Sequence, residues 1–356
     1  MKNIFKLSQK RRTRLSVTVL PTAAALLAAL LLSSGCTDGN TPPSEVPDTP
    51  VSVPAVSPED ADGMFTIAVF PDTQQLVTVE EAIDGEYFSN ATAWLADNKE
   101  ELDLRLVAHT GDIVNWGNEE PRQFKIASWA FDELDSAEVP VALCLGNHDT
   151  AAVGVGGSAK DPMNTRTRVR DTASFNEYFS VERYDEAIPF EDGKIDNAYQ
   201  LFSAGGKKWM MLTLELWPRE EVVDWAARMI ENHPKHNVMI ATHSYLTHKG
   251  DIYQGSDYGE KSPQYLYDNL ISKYENVRMV FCGHTGSSFV REDTGEHGNK
   301  ILTLLGCFHS STQNPIRLLE IDAAFGEVSG RVYSPIDDTE WTQYDFEVED
   351  MDFIEP

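Results

Sequence analysis

Cysteine is scarce in this sequence, and its spacing excludes a disulfide framework. The chain has four cysteines, Cys36, Cys144, Cys282 and Cys307, and none of them forms a Cys-x-x-Cys pair. Apart from Cys36, each lies in or beside an apolar run, which favours buried free thiols. A disulfide between two of these three remains the alternative.

Positive charge is also scarce, and this argues against a nucleic-acid partner. The chain has 29 Lys and Arg against 57 Asp and Glu, with a formal net charge of −28 at pH 7. Nucleic-acid phosphates are bound mainly through Lys and Arg, so we expect no direct nucleic-acid binding. Residues 337–356 are particularly acidic, and we expect them to form a surface tail or an edge strand.

Two common catalytic motifs are missing as well. The sequence contains neither the Gly-x-Ser-x-Gly of a serine hydrolase nor the Gly-rich P-loop of a nucleotide-binding protein. Any chemistry must therefore be carried by other residue types.

Long apolar runs are limited to residues 20–32, near the N-terminus. This run is shorter than the ~20 residues that a membrane span needs. The basic stretch Lys10-Arg-Arg-Thr-Arg14 precedes it, and Ser33-Ser-Gly-Cys36 follows it. This order is typical of an export signal, and the junction at Cys36 resembles a bacterial lipobox. We therefore predict that residues 1–35 are a lipoprotein signal peptide and that Cys36 carries a lipid; an uncleaved anchor helix is the alternative. Either would hold the protein in the bacterial cell envelope, outside the cytoplasm.

A proline-rich stretch separates this signal from the rest of the chain. Residues 36–63 combine repeated prolines with Ser, Thr, Val, Asp and Glu, a composition that cannot bury a core, so we predict a disordered linker. Residues 64–336 are long enough for one α/β domain with a large core.

The chemistry-bearing residues are grouped in short motifs, each directly after an apolar run. The motifs are Phe70-Pro-Asp72-Thr-Gln74, Gly111-Asp112-Ile-Val-Asn115, Gly146-Asn147-His148-Asp149, Thr242-His243 and Gly283-His284-Thr-Gly286. We expect the runs to be strands and the polar side chains to meet outside their carboxyl ends, where ligands collect in open α/β sheets. Asp, Asn and His together predict a metal site of hard-to-borderline donors rather than a thiolate one.

Strands and helices are predicted to alternate in the first half of the chain, whereas the last third is mostly strands. Predicted strands are 65–70, 104–109, 139–145, 198–203, 208–215, 237–241, 277–282, 299–305, 315–321 and 327–333. Predicted helices are 86–99, 119–135, 171–180, 219–233 and 263–274.

The order and wording of the motifs resemble the calcineurin-like metallophosphoesterase superfamily, from about Phe65 to about Tyr333. Its pattern is D-x-H, G-D-x-x-D/N, G-N-H-D/E, a lone His and G-H-x-H. The Pro-Asp-Thr-Gln form and the segment from Leu214 to Ala226 are similar to a bacterial branch of it. The resemblance implies an α/β fold of two packed mixed β-sheets flanked by helices, a four-layer sandwich with metals at the strand ends.

The resemblance also implies a two-metal site. Asp112 would bridge two divalent cations, and Asn147, His243 and His284 would complete one shell suited to Mn, Fe or Zn. The other shell would use Asp72, Gln74 and Asp112. Gln74 and Gly286 stand where the family has histidines, so this shell should bind more weakly or prefer a harder ion such as Mg or Mn.

The resemblance implies roles for residues near these ligands as well. His148 would protonate the leaving-group oxygen or stabilise the phosphoryl charge, and Asp149 would orient the His148 ring through its other nitrogen. Asn115 would form local hydrogen bonds or contact substrate phosphate. His309, which follows another apolar strand, is expected to lie behind the ligands or at the surface, and a ligand role is the alternative.

The function that follows is metal-assisted hydrolysis of a phosphomonoester or phosphodiester by activated water. The alternative is a degenerate, non-catalytic fold, acting as a ligand-binding or surface interaction lipoprotein, because Gln74 and Gly286 replace histidines. The oligomeric state and the substrate are left open.

Overall fold

A computed structural model describes residues 63–78, 85–184, 186–286 and 288–356. The predicted signal peptide, Cys36 and the predicted linker up to residue 62 lie outside the described residues. Within the described ranges, none of the helices combines the length and apolar character needed to cross a bilayer.

The first sheet carries the first three motifs and is mixed. Its order is β13-β12-β11-β1-β2-β3, and β14 also pairs with β12. The three strands β1, β2 and β3 are parallel, whereas β11 joins β1 antiparallel. Its strands are β1 (Met64–Phe70), β2 (Leu104–His109), β3 (Val141–Leu143), β11 (Ile316–Asp322), β12 (Glu327–Ser334), β13 (Thr339–Glu340) and β14 (Phe346–Val348).

The second sheet carries the histidine motifs and is also mixed. Its order is β4-β5-β6-β7-β8-β10-β9, with β6, β7, β8 and β10 parallel. Its strands are β4 (Ile188–Pro189), β5 (Ala198–Ala204), β6 (Lys207–Leu214), β7 (Asn237–Thr242), β8 (Val277–Cys282), β9 (Ser288–Thr294) and β10 (Lys300–Gly306).

The two sheets pack face to face through an apolar core. Alternate residues of β1, such as Phe65 and Ile67, join Trp209 and Met239 of the second sheet in one buried cluster. The intervening β1 residues, such as Phe70, belong to a second cluster with the helices. Side chains of a strand alternate between faces, so a strand that is covered on both faces reads as a continuous apolar run.

Helices cover the outer faces of both sheets. On the first sheet, Phe88 and Phe131 of α1 and α2 make an edge-to-face contact 5.4 Å apart. On the second sheet, Trp225 of α5 lies 6.1 Å from Tyr199 of β5. The helices are α1 (Glu86–Asp97), α2 (Arg122–Ser136), α3 (Thr165–Arg168), α4 (Ala173–Tyr178), α5 (Glu220–Asn232) and α6 (Pro263–Leu266), which continues as a π-helical turn (Tyr267–Ile271). This arrangement confirms the predicted fold class.

Two local features differ from the sequence prediction, while residues 337–356 form the edge strand that was one of the two expectations for them. Strand β9 was not predicted, because it is an edge strand whose residues 291–293 are all charged. The predicted helix 263–274 ends early and changes to π geometry. The acidic residues 337–356 extend the first sheet through β13 and β14, and both Met351 and Phe353 are buried in the core between the sheets.

Candidate metal centre

Two motif glycines let the second and third motifs pack against each other. A Cβ atom on Gly111 would lie 2.6 Å from the backbone nitrogen of Gly146, and a Cβ atom on Gly146 would lie 2.0 Å from Asp112 Oδ1. Asp112 itself has a positive φ of 53°. Glycine is therefore required at both positions by the close approach that brings the Asp112 carboxylate between the two loops.

A third glycine links the first motif to the last. A Cβ atom on Gly283 would lie 2.1 Å from Asp72 Oδ1. The next residue, His284, has a positive φ of 73° and donates its backbone N–H to Asp72 Oδ2 at 3.0 Å. The strand ends of both sheets therefore meet at Asp72.

The first group of ligand-capable side chains comprises Asp112, His243 and His284. His243 Nε2 lies 3.1 Å from Asp112 Oδ2 and 3.1 Å from His284 Nδ1. His243 Nδ1 donates to the carbonyl of Thr110 at 2.9 Å, which leaves Nε2 as the nitrogen that faces the site. Both His243 and Asp112 are buried.

These three groups strongly affect one another's pKa values. Burial alone would lower the pKa of His243, but the Asp112 carboxylate outweighs it and raises that pKa to about 9. Burial would raise the pKa of Asp112, and the neighbouring His243 brings it below its usual range. Burial, followed by the charge of His243, lowers the pKa of His284 to about 4. Without a cation, a proton on His243 thus neutralises the buried Asp112.

The second group lies around Asp72 and includes residues that were not expected there. His309 Nε2 is 3.2 Å from Asp72 Oδ2 and 3.0 Å from Gln74 Nε2. Cys307 Sγ is 3.3 Å from Asp72 Oδ2. The Asp72 carboxylate raises the pKa of His309, and burial raises the pKa of Cys307. His309 was expected behind the ligands or at the surface; it is partly exposed, yet its ring nitrogen contacts Asp72 directly.

Cys307 was missed, although the sequence carried a signal for it. Gly306-Cys307-Phe-His309 directly follows the apolar strand β10, just as the other motifs follow theirs. The backbone at Gly286 favours glycine. Gly286 has a positive φ of 73°, and a Cβ there would lie 3.2 Å from His248 Cβ.

Two of the buried amide oxygens that lack a hydrogen-bond partner among the described residues belong to the motifs, and this fits cation binding. They are Asn147 Oδ1 and Gln74 Oε1. Buried acceptors without partners are rare and costly, and a cation would satisfy both. The two groups also adjoin, since His284 contacts His243 through its ring and Asp72 through its backbone. The donors therefore suit two neighbouring divalent cations, one held by Asp112, Asn147, His243 and His284, the other on the Asp72 and Gln74 side.

His148 lies beside the first group and is held by Asn115. Its Nδ1 is 2.6 Å from the carbonyl oxygen of Asn115 and 3.1 Å from Asn115 Oδ1. Because a carbonyl oxygen only accepts, Nδ1 carries the hydrogen, and Nε2 faces Asp112 Oδ2 at 3.9 Å. The backbone N–H of His148 also donates to Asp112 Oδ1 at 2.9 Å.

The expectation that Asp149 orients His148 is not met. The carboxylate of Asp149 is buried and turned into the protein, where it accepts from Val114 N at 3.0 Å and from Gly146 N at 2.9 Å. These backbone donors need an acceptor, and both carboxylate oxygens are used by them. Burial, followed by the charge of Asp112, raises the pKa of Asp149 to about 8. Asp149 therefore positions the two loops, whereas Asn115 orients the ring.

Other polar residues of the motifs have structural partners. Arg219 is paired with the buried Glu215 at 2.9 Å, and Arg170 lies 3.2 Å from the same carboxylate. His109 is buried, and its ring lies between Thr73 Oγ1 at 2.9 Å and the N–H of Gly111 at 3.1 Å. The three cysteines that the structure describes are all free and buried, as their apolar surroundings predicted.

Several solved structures are similar in fold. A dimetal phosphatase from Danio rerio is 13% identical, with 80% of this chain and 98% of that chain covered and a TM-score of 0.46. A predicted phosphoesterase from Streptococcus pneumoniae is 12% identical, with 81% and 98% covered and a TM-score of 0.33. At these identities and scores, neither likeness bears on what this chain binds.

A sequence relative and a family model also match. The uncharacterized protein YvnB of Bacillus subtilis is 27% identical over 286 residues, which are 77% of this chain, and the chain spans only 20% of the length of that relative. The model for calcineurin-like phosphoesterases matches residues 65–288, a stretch that contains all the motifs named from Asp72 to Gly286. The chain therefore belongs to the calcineurin-like phosphoesterase family.

Proposed function

We propose that this protein is an exported, lipid-anchored phosphoesterase that hydrolyses a phosphomonoester or phosphodiester with divalent cations. The observation that carries the proposal is the pair of unpartnered buried oxygens, Asn147 Oδ1 and Gln74 Oε1. Gln74 lies in the same motif as Asp72, a member of the second group. Asn147 lies in the same motif as His148, whose ring faces Asp112 of the first group. A binding site for cations accounts for both oxygens at once.

The charge of the site supports the same reading. Asp72, Asp112 and Asp149 are all buried at the meeting point of the strand ends. Such a site would repel an anionic phosphoester unless positive charge were added. When bound, divalent cations supply that charge and lower the pKa of a water molecule, so that it attacks phosphorus.

His148 has the geometry of a general acid. Asn115 keeps the hydrogen of the neutral ring on Nδ1, so Nε2 is the nitrogen that takes up a second proton. Nε2 is also the nitrogen on the Asp112 side of the ring. From there the ring would hand a proton to the departing alkoxide oxygen, and Asn115 would stabilise the charged ring before transfer.

The sequence alone supports the export and anchoring part of the proposal. The basic segment, the apolar run of residues 20–32 and the Gly-Cys junction at Cys36 form a lipoprotein-type signal. An acidic chain with few Lys and Arg residues also suits an enzyme whose small anionic substrate is held by metal ions rather than by a basic surface.

A metal-supplemented hydrolysis assay tests the proposal. The full-length chain, purified in detergent and freed of metal with a chelator, should hydrolyse a chromogenic phosphoester only after Mn²⁺, Zn²⁺ or Mg²⁺ is added back. A panel of phosphomonoesters, phosphodiesters and nucleotides should then identify the substrate class. Activity that survives exhaustive chelation would contradict the metal mechanism.

The non-catalytic alternative is favoured by one observation, the Gln74 amide at a position where the family has an imidazole. The same assay separates the two functions. If the chain binds cations with the ligands named above, yet hydrolyses no member of the panel faster than His148→Asn does, the ligand-binding lipoprotein is the better description.

A further inference from the structure

We propose that Asp72, Gln74, Cys307 and His309 form a thiolate-containing metal site that selects Zn²⁺ or a similar borderline-soft cation over Mg²⁺. The proposal rests on the proposed function only in placing a cation at this end of the site. Cys307 and His309 lie beyond residue 288, outside the stretch that the family model matches. They are a feature of this chain that the family pattern does not assign.

The ring nitrogen Nε2 of His309 lies close to three polar groups whose hydrogen-bonding needs conflict. His309 Nε2 lies 3.0 Å from Gln74 Nε2, 3.2 Å from Asp72 Oδ2 and 3.4 Å from Cys307 Sγ. The amide nitrogen needs a lone pair on Nε2, whereas the carboxylate needs a hydrogen there. A ring nitrogen has only one of the two, so no protonation state satisfies both neighbours.

With the amide oxygen and nitrogen of Gln74 exchanged, Oε1 and Asp72 Oδ2 would share the one hydrogen of His309 Nε2, and the buried amide nitrogen would be left without a partner instead. As it stands, Oε1 is buried, has no partner among the described residues, and belongs to a side chain that is only 4% exposed. A cation in place of the hydrogen could bind Oε1, Asp72 Oδ2 and His309 Nε2 together.

The spacing of the donor atoms also fits a bound cation. Asp72 Oδ2, Cys307 Sγ and His309 Nε2 are separated by 3.2–3.4 Å. Around a tetrahedral Zn²⁺, with bonds of about 2.0–2.3 Å, such donors would be about 3.3–3.6 Å apart. The side chains therefore need to move only slightly to surround an ion, and Gln74 Oε1 would supply a fourth donor.

The chemistry of the donor atoms determines which cation fits. Thiolate and imidazole donors favour Zn²⁺, whereas Mg²⁺ prefers oxygen ligands and water. A cysteine binds metal as the thiolate, so binding would release the thiol proton to solvent. Cys307 would thus shift this half of the site away from the hard ion expected from Asp72 and Gln74 alone.

Cobalt spectroscopy tests the proposal without measuring activity. The probe is Co²⁺, added to the chelated full chain that carries Cys36→Ser to remove the thiol outside the described residues. We expect two equivalents to bind and a near-ultraviolet sulfur-to-cobalt charge-transfer band to appear. Cys307→Ser should abolish the band, and His309→Ala should weaken the second equivalent by at least about tenfold.

Two matched controls and one competition complete the experiment. Cys144→Ser and Cys282→Ser alter equally buried thiols and should leave the band intact. Zn²⁺ should displace Co²⁺ from this site, while Mg²⁺ in large excess should not. Binding of one or two equivalents without the band, loss of the band in a control variant, or displacement by Mg²⁺ would each overturn the proposal.

The outcome is independent of the proposed function. A cobalt–thiolate band in a chain that hydrolyses no phosphoester would support this metal site and reject the enzyme. Hydrolysis with two bound ions and no band would do the reverse. Should Cys307→Ser fail to fold, the partly exposed His309 provides the second variant, because His309→Ala must still weaken one equivalent and spare the other.

Discussion

At the scale of single residues, the structure separates side chains that face the ligand-capable groups from those that hold other parts of the protein. His243 places Nε2 against Asp112 and His284, whereas His148 is turned by Asn115 so that its free nitrogen borders the site. Asp149, in contrast, is occupied by two backbone N–H groups. Neighbouring residues of one motif therefore have different physical roles.

Substituting two histidines should distinguish these roles. We expect His148→Asn to lower kcat by roughly 10²–10⁴, the usual contribution of a positioned acid, with little change in metal content. We expect His243→Asn to lose metal, because it removes a donor that contacts Asp112. The measurements are kcat and elemental analysis after dialysis. Equal metal loss in both variants, or full activity of His148→Asn, would contradict the assignment.

At the scale of elements, the site depends on how closely the loops after the strands approach one another. The loop after β8 touches the loop after β1 at Gly283 and Asp72, and those strands belong to different sheets. The loops after β2 and β3 touch at Asp112 and Gly146. Each contact leaves no room for a Cβ atom, so glycine controls the geometry of the centre as much as the ligands do.

Gly283→Ala should therefore disrupt the centre without removing any ligand. The new methyl group would lie 2.1 Å from Asp72 Oδ1 and would force Asp72 or His284 to move. We expect the variant to retain less metal after dialysis and to unfold at a lower temperature than the wild type. Gly154→Ala is the matched control, since its nearest neighbour would be at 3.4 Å, and it should behave like the wild type. Normal metal retention by Gly283→Ala would show that the loops are free to adjust.

At the scale of the whole molecule, folding buries acidic groups of the same sign, and protons or cations must balance them. In the metal-free protein, the pKa of His243 is raised by Asp112, against the effect of burial, from 6.5 to about 9. Burial raises the pKa of Asp149 from 3.8 to about 8. Stability from a group with a raised pKa is present below its unfolded value and is lost as the pH rises through its folded value.

Metal-free protein should therefore lose stability between about pH 6.5 and pH 9. Over this window the lowered pKa values of His284 and Asp112 contribute no change, because both groups titrate at lower pH. Protein loaded with Zn²⁺ should show a smaller loss, since the cation replaces the proton of His243. Urea unfolding of chelated and loaded protein across the window measures both. Constant or rising stability of the chelated protein would contradict the balance described here.

The proposed anchor is also a property of the whole molecule. We expect the wild-type chain to fractionate with membranes and to incorporate a fatty-acid label, because Cys36 follows a lipoprotein-type signal. Cys36→Ser should lose the label and change its fractionation, whereas Cys144→Ser should not. Labelling that persists in Cys36→Ser would place the lipid elsewhere.

Much of the fold could be predicted from local pattern. A strand that is covered on both faces must be apolar throughout, whatever its neighbours are. The apolar runs before Asp72, Asp112 and His284 could therefore be predicted as strands. Strand β9 was missed for the opposite reason. Arg291 and its charged neighbours lie at a sheet edge, where a strand is partly exposed and need not be apolar. The π-helical turn after α6 could not be predicted from the spacing of the apolar residues either.

The sequence by itself located the five motifs from Asp72 to Gly286, because glycine, carboxylate and imidazole after a strand are informative without a partner. Only the tertiary structure decided which side chains meet. His309 lies 237 residues from Asp72 along the chain, yet their atoms are 3.2 Å apart, a contact made by packing one sheet on the other. Tertiary structure also decided that Asn115, and not Asp149, orients His148, because the direction of a buried polar side chain is set by the backbone donors and acceptors that folding brings to it.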